Sequence, residues 1–140
     1  MFTQEQIDAL RPEMQDSMMG ILGIELCPST DDTVRGTMPV TRATSRPPGI
    51  LNGGASLALA ETLAGYGSYS ILGSHTGAFG IQVSANHISV ARMGDRVVGV
   101  ARPVHIGRST HIWQVDITSE ATGRLVSSIR VVNFVANIGL

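Results

Sequence analysis

Gly49-Ile-Leu-Asn-Gly-Gly-Ala-Ser-Leu-Ala-Leu-Ala-Glu-Thr-Leu-Ala-Gly-Tyr-Gly-Ser68 runs from a glycine-marked turn into the longest helix-compatible segment of the chain. Asn52 is a preferred N-cap type and Gly73 a stop signal, so the spacing predicts a helix from Asn52 to about Ile71. Almost everything else reads as strand. Within this small and apolar helix stands one acid, Glu61. A buried acid among alanines and leucines, with no evident local partner, calls for a physical explanation.

At 100° per residue, Gly54, Ala58, Glu61, Gly65 and Ser68 fall within roughly 40° of one line along the helix. Every member of that stripe except Glu61 is small, so a ligand or another backbone can approach and the carboxylate points at it. The competing reading is a solvated helix face, which would ordinarily carry more charge than Ala58, Ala60, Ala64 and Gly65 supply. Leu59, Leu63 and Tyr66 lie on the far side, where bulk belongs against a sheet. Asn52, Gly53 and Gly54 open the helix, where free N–H groups and the positive dipole end favour an oxyanion; plain capping explains the same residues. Nine residues separate Asn52 from Glu61, about 13.5 Å of rise and a net half turn. The two features therefore face apart on one helix, and a single ligand atom meets both only where two subunits share a site.

Outward from the helix, Thr3 to about Leu10 reads as a short helix with a Thr3–Gln6 capping box, ended or restarted by Pro12. Met14, Met18 and Met19 suit either core packing or the flexible wall of a ligand pocket. Ile21–Cys27 and Thr33–Val40 read as strands joined by the turn formers Pro28 to Asp32, and Thr41–Gly49 as a loop stiffened by Pro47 and Pro48. Four strand-like runs follow, Phe79–Ala91, Arg96–Ile106, Thr110–Ser119 and Arg124–Asn137, spaced as an antiparallel meander. The predicted fold class is α+β, a curved antiparallel sheet wrapped around one long central helix, with residues 1–140 forming a single domain.

Composition narrows the function classes. A formal net charge of −1 without a Lys/Arg block gives no electrostatic footprint for nucleic acid or an anionic membrane surface. Cys27 alone forms no intramolecular disulfide, and His75, His87, His105 and His111 match no ligand spacing, so no metal is expected. The N-terminal residues carry no signal-peptide pattern, and no apolar run reaches a membrane span, which makes the cytoplasm the expected compartment. With 43% hydrophobic and only 15% charged residues, so small a domain is expected to bury further surface in a homo-oligomer.

Asn52-Gly-Gly-Ala-Ser, then Glu61-Thr62 after four intervening residues, resembles the His-Gly-Gly-Ala-Ser-x4-Glu-Ser/Thr core of the hotdog-fold acyl-CoA thioesterases. Ser84-Ala-Asn-His-Ile88, Pro103-Val-His-Ile-Gly107 and Trp113-Gln-Val-Asp-Ile117 are similar to further blocks of that family. The likeness runs from about Met18 to Val135 and lies closest to the branch of 1,4-dihydroxy-2-naphthoyl-CoA hydrolases, the enterobactin-pathway proofreading thioesterase and the phenylacetate-type enzymes.

The resemblance implies a hotdog dimer, commonly paired into a tetramer, that hydrolyses a small or medium acyl-CoA, aromatic acyl groups included, to the acid and free coenzyme A. It implies Glu61 as nucleophile or general base from one subunit, with the Gly53 N–H of the other on the carbonyl oxygen and Asn52 as auxiliary donor. A carboxylate suits attack on the thioester carbon or activation of water, and an amide at a helix N-terminus suits the developing oxyanion. No separate cofactor is implied, coenzyme A being part of the substrate. Substrate contacts are expected at Arg46, Thr62, Gly65 and Ser68, and coenzyme A contacts at His87, Ser89, Arg92, Gly107 and Arg108. Three positions depart from the family: Asn52 stands for a histidine, Arg46 for a glutamine before the Pro-x-Gly turn, and Gly65 for a Ser or Thr near the acyl group. Asparagine donates a hydrogen bond but shuttles no proton. Two rival readings are an acyl-CoA binding module without turnover, and an enoyl-thioester hydratase, which would need an Asp and His poised together that the sequence does not show.

Overall fold

The computed structural model describes residues 1–74 and 77–136. Twelve residues, Gln4–Gln15, form α1, opened by the expected capping box: the Gln6 N–H donates to Thr3 Oγ1 at 3.2 Å and the Thr3 N–H to Gln6 Oε1 at 2.9 Å. The helix continues through Pro12, where the sequence predicts an end or a restart. Pro12 removes one backbone donor, yet Ile7, Leu10 and Met14 keep one face of α1 in the core across the interruption.

Met18–Leu22 is a second short helix, α2, capped by Ser17 and closed by Gly23 in the left-handed region at φ 75°. The expected strand from Ile21 is thus cut to Glu25–Cys27 (β1), because the capping serine and the glycine turn enclose a helical turn. Val34–Pro39 (β2) pairs antiparallel with β1 and buries Val34, Gly36 and Met38, the alternation of a strand with one face inward. The segment read as a loop contains a small ribbon, Ser45–Arg46 (β3) against Ile50–Leu51 (β4), turned by a cis Pro47-Pro48 bond and Gly49 at φ 114°.

Gly53–Leu72 forms α3, with Asn52 as N-cap and Gly73 in the left-handed conformation at its end, as the sequence predicts. The strands Ala78–His87 (β5), Arg96–Ile106 (β6), Thr110–Ser119 (β7) and Leu125–Val135 (β8) complete a six-stranded antiparallel sheet in the order β1-β2-β6-β7-β8-β5. Only β6, β7 and β8 form the expected meander. β5 pairs with β8 instead of β6, because the chain after His87 crosses back as a strap in which Leu51 N–H donates to the Ala91 carbonyl and Met93 N–H to that of Gly49. The predicted end of β8 at Asn137 lies outside the described residues, as does His75.

The sheet curls around α3, and Leu59, Ala60, Leu63 and Ala64 are wholly buried against it. Each fully buried leucine side chain contributes about 1.5–3 kcal/mol through removal from water. Trp113 on β7 packs so tightly below the helix that a Cβ on Gly67 would stand 2.5 Å from its ring. A long apolar helix inside one curved antiparallel sheet is the hotdog arrangement. Its consequence for the site is that β5 is an edge strand, running past α3 with its outer backbone side unpaired among the described residues.

Candidate active site

The opening turn of α3 assigns its amides one by one. Gly54 N–H donates to the Asn52 side-chain oxygen at 2.8 Å. The Asn52 carbonyl accepts from Ala55 N–H at 3.0 Å and Ser56 N–H at 3.3 Å. Gly53 N–H is left: among the described residues no group accepts it. A helix end in this state presents one unclaimed donor and the positive end of the dipole to a ligand oxygen. Asn52 performs the cap with its oxygen, which leaves its exposed NH2 as the group free to donate outward.

Beside this donor stands His87, the last residue of β5. A Cβ on Gly53 would lie 2.6 Å from His87 Nε2 and 3.1 Å from each adjacent ring carbon, so the imidazole covers the Cα face of Gly53. On its other side, His87 Nδ1 lies 2.7 Å from the hydroxyl of the fully buried Ser127, its register partner on β8. Arg46, Ser56, Ser89 and Ala91 line the same small cavity as Gly53 and His87, about 270 Å³ in volume. The Ser89 hydroxyl is engaged, donating to the Leu125 carbonyl at 2.6 Å.

Glu61 belongs to a different cavity. It is exposed in the single chain rather than buried, and among the described residues it makes no hydrogen bond or ion pair. The cavity over it encloses about 790 Å³ between α2 and the open stripe of α3 and is lined by Met18, Met19, Leu57, Ala58, Thr62, Gly65, Tyr66 and Tyr69, among others. Gly54, Ala58, Glu61 and Gly65 thus form the predicted open stripe, and Met18 and Met19 serve as wall while Met14 joins the core. The Thr62 hydroxyl is turned back onto the Ala58 carbonyl at 2.7 Å, so it offers the cavity its methyl and oxygen lone pairs. Tyr66 O–H donates to Glu13 at 3.3 Å at the cavity margin. Burial, reinforced by the Glu13 carboxylate, pushes the Tyr66 hydroxyl above its usual pKa, so it stays a donor.

Ser68 departs from the stripe. It is fully buried, because the sheet wraps past the last turns of α3 and brings three polar side chains beneath it. Ser68 Oγ accepts from Trp113 Nε1–H at 3.2 Å and Asn133 Nδ2–H at 3.0 Å, and lies 2.9 Å from Nδ1 of the buried His111. With its lone pairs taken, the serine donates its own proton to His111, which fixes the ring proton on Nε2. Burial, with His105 adding to it, holds His111 below the ordinary histidine pKa. This network belongs to the scaffold and not to a ligand cavity; His111, Ser127 and Asn133 escaped the sequence reading because strand alternation marks a position as inward but not what it meets.

The strand β5 connects the two cavities. Glu61 lies over Gly80 near its start, where an added Cβ would come 3.3 Å from Glu61 Oε2, and Gly53 lies against His87 at its end. The β5–β8 register shifts between Gly80 and Gln82, a bulge beside the carboxylate. Of the remaining expected contacts, Arg92 sits exposed in the strap, bridged to Ile50 of β4, whereas Gly107 and Arg108 occupy the β6–β7 turn. Strand register sets that turn at the Gly80 end of the sheet, away from His87 within one chain. Among the described residues no group of three or more His, Cys, Asp or Glu could hold a metal, and no helix is long and apolar enough to cross a membrane.

Residues 48–126 match the thioesterase superfamily. The chain is 38% identical over 125 residues to a 1,4-dihydroxy-2-naphthoyl-CoA hydrolase of Escherichia coli, covering 89% of this chain and 90% of that protein. It is 36% identical over 122 residues to a proofreading thioesterase of Cronobacter turicensis, with 87% and 88% coverage. A mutant thioesterase from Pseudomonas aeruginosa superposes with a TM-score of 0.88 at 32% identity over 96% of both chains. With the central helix, the wrapped sheet and the sequence all in register with these proteins, the chain belongs to the thioesterase superfamily.

Proposed function

We propose that this protein hydrolyses acyl-CoA thioesters, with Glu61 as nucleophile or general base and the Gly53 amide as oxyanion donor, in a site formed between two copies of the chain. The observation that carries the reading is the placement of these two groups at opposite ends of the edge strand β5. An edge strand of ten residues is a ready template for a second copy. Antiparallel pairing about a twofold axis midway between Gly80 and His87 sets Gly80 of one copy against His87 of the other. Glu61 of the partner subunit then approaches Gly53, although the two groups on one helix face apart. The same operation carries the partner's β6–β7 turn, with its Gly107 and Arg108, to the His87 end, where the arginine suits a phosphate.

The chemistry follows from the groups. The Gly53 N–H and the helix dipole stabilise charge on the thioester oxygen as the carboxylate, or a water it activates, attacks the carbon; thiolate departs as coenzyme A. The large, Met- and Tyr-lined cavity beside Glu61 suits a small or medium apolar acyl group, aromatic ones included, with Gly65 leaving its wall open. The 1,4-dihydroxy-2-naphthoyl-CoA hydrolase among the relatives supports an aromatic acyl-CoA.

The test is thiol release from benzoyl-, phenylacetyl-, naphthoyl- and straight-chain CoA esters by the native protein and by Glu61→Ala. Turnover of at least one ester is expected, abolished in the variant with the oligomer intact. Near-native turnover by Glu61→Ala overturns the assignment, and tight ester binding without thiol release by the native protein identifies a binding module instead.

A further inference from the structure

We propose that His87 is a catalytic residue, a second hydrogen-bond donor that converges with the Gly53 amide on the thioester carbonyl oxygen, with Ser127 as its positioning residue. This rests on the thioester-hydrolysis reading and assigns His87 a task different from holding the nucleotide of coenzyme A.

The imidazole is anchored at one nitrogen and open at the other. Nδ1 lies 2.7 Å from the hydroxyl of Ser127, which is wholly buried and is the register partner of His87 across β5 and β8. Nε2 has no partner among the described residues and sits 2.6 Å from where a Gly53 Cβ would be. A Cβ stands about 2.5 Å from its own amide nitrogen, so Nε2 is no more than about 5 Å from the Gly53 nitrogen. One oxygen accepting at about 2.9 Å from each nitrogen fits between two donors so spaced. When the Ser127 hydroxyl donates to Nδ1, the ring proton resides on Nε2 and faces that oxygen. The absence of a side chain at Gly53 acquires a reason here: its φ is not in the left-handed region, and a methyl there collides with the ring. No covalent step is added; both donors hold the oxyanion while the carbon–sulfur bond breaks.

The experiment compares benzoyl-CoA with S-benzoyl-N-acetylcysteamine, a thioester without the nucleotide, for native protein, His87→Ala, Ser127→Ala and the double variant. Loss of one oxyanion donor lowers kcat about 100- to 1,000-fold. His87→Ala is expected to show that loss on both esters with KM nearly unchanged. Ser127→Ala is expected to lose less, and to lose nothing further when His87 is already absent. A KM increase confined to benzoyl-CoA, with kcat and the short thioester unaffected, overturns the proposal and makes His87 a nucleotide contact. An undiminished loss from Ser127→Ala on the His87→Ala background overturns the positioning role. Absence of thiol release by the native protein removes the parent reading as well, whereas retained native release with an unimpaired His87→Ala removes this inference alone.

Discussion

Gly36 and Gly99 face each other across β2 and β6, and the two methyl groups of Leu63 occupy the notch they leave. A Cβ on either glycine would lie 2.7 Å from a Leu63 methyl carbon. The sheet therefore meets its helix through a hole two glycines wide, filled by one wholly buried leucine. Gly99→Ala is expected to destabilise the fold by about 1–3 kcal/mol, the range for overpacking a filled core. Urea unfolding monitored at Trp113 checks it, with the midpoint lowered and the slope unchanged. Leu63→Ala, combined with Gly99→Ala, should recover part of the loss relative to the sum of the single effects, since the residues share one volume.

How far the sequence reveals this molecule depends on how local each determinant is. The bounds of α3 were legible because Asn52 and Gly73 are local signals, and β6 and β7 because turn residues bracket alternating runs. The continuation of α1 through Pro12 was not, since it rests on Ile7, Leu10 and Met14 meeting a core assembled from distant segments. Likewise the placement of β5 beside β8 is decided by a crossing strap and leaves no local trace. At the site, the half-turn offset between Asn52 and Glu61 was readable from helix geometry alone. The depth of Ser68 was not, because its partners His111, Trp113 and Asn133 arrive from strands more than forty residues away.

Ser68 satisfies three buried groups with one hydroxyl. Ser68→Ala leaves the Trp113 N–H without an acceptor, removes one of the two acceptors of Asn133 Nδ2, and takes the donor from His111 Nδ1. An unsatisfied buried polar group costs about 1–3 kcal/mol. A loss of at least about 2 kcal/mol in unfolding free energy is expected. Thiol release per folded molecule should change far less than in Glu61→Ala, because Ser68 lies outside both cavities.

His111 makes stability fall with acid. Burial lowers its pKa in the folded chain, with His105 adding to the shift, so below the ordinary histidine value of 6.5 the unfolded state binds more protons than the folded state. Stability then rises with pH through that window. It is flat above it, where His111 is neutral in both states, and it is lost progressively as pH falls from about 6.5 toward the folded-state value. Denaturation midpoints at closely spaced pH values should show this slope in the native protein and a shallower one in His111→Gln, whose amide carries no titrating proton. An identical slope in both proteins would place the acid sensitivity elsewhere.

The proposed sharing of the site between two chains makes a prediction that neither cavity makes alone. Glu61→Ala removes the carboxylate, and Gly53→Ala places a methyl against the His87 ring and shifts the donor end of the helix. Misplacement by about 1 Å can cost 100-fold in rate, so each variant alone should be nearly inactive. Both should remain folded, since Glu61 is exposed and alanine is a better helix former than glycine. Subunits of the two variants, mixed, exchanged and re-associated at random, give heterodimers in half of the molecules. In each heterodimer one site carries both defects and the other carries neither. Activity should therefore return to about a quarter of the native value. Were Gly53 and Glu61 of the same chain to serve one substrate, every site in the mixture would stay defective and no activity would return. Recovery on mixing thus reads directly whether the half turn between Asn52 and Glu61 divides the reaction between two chains.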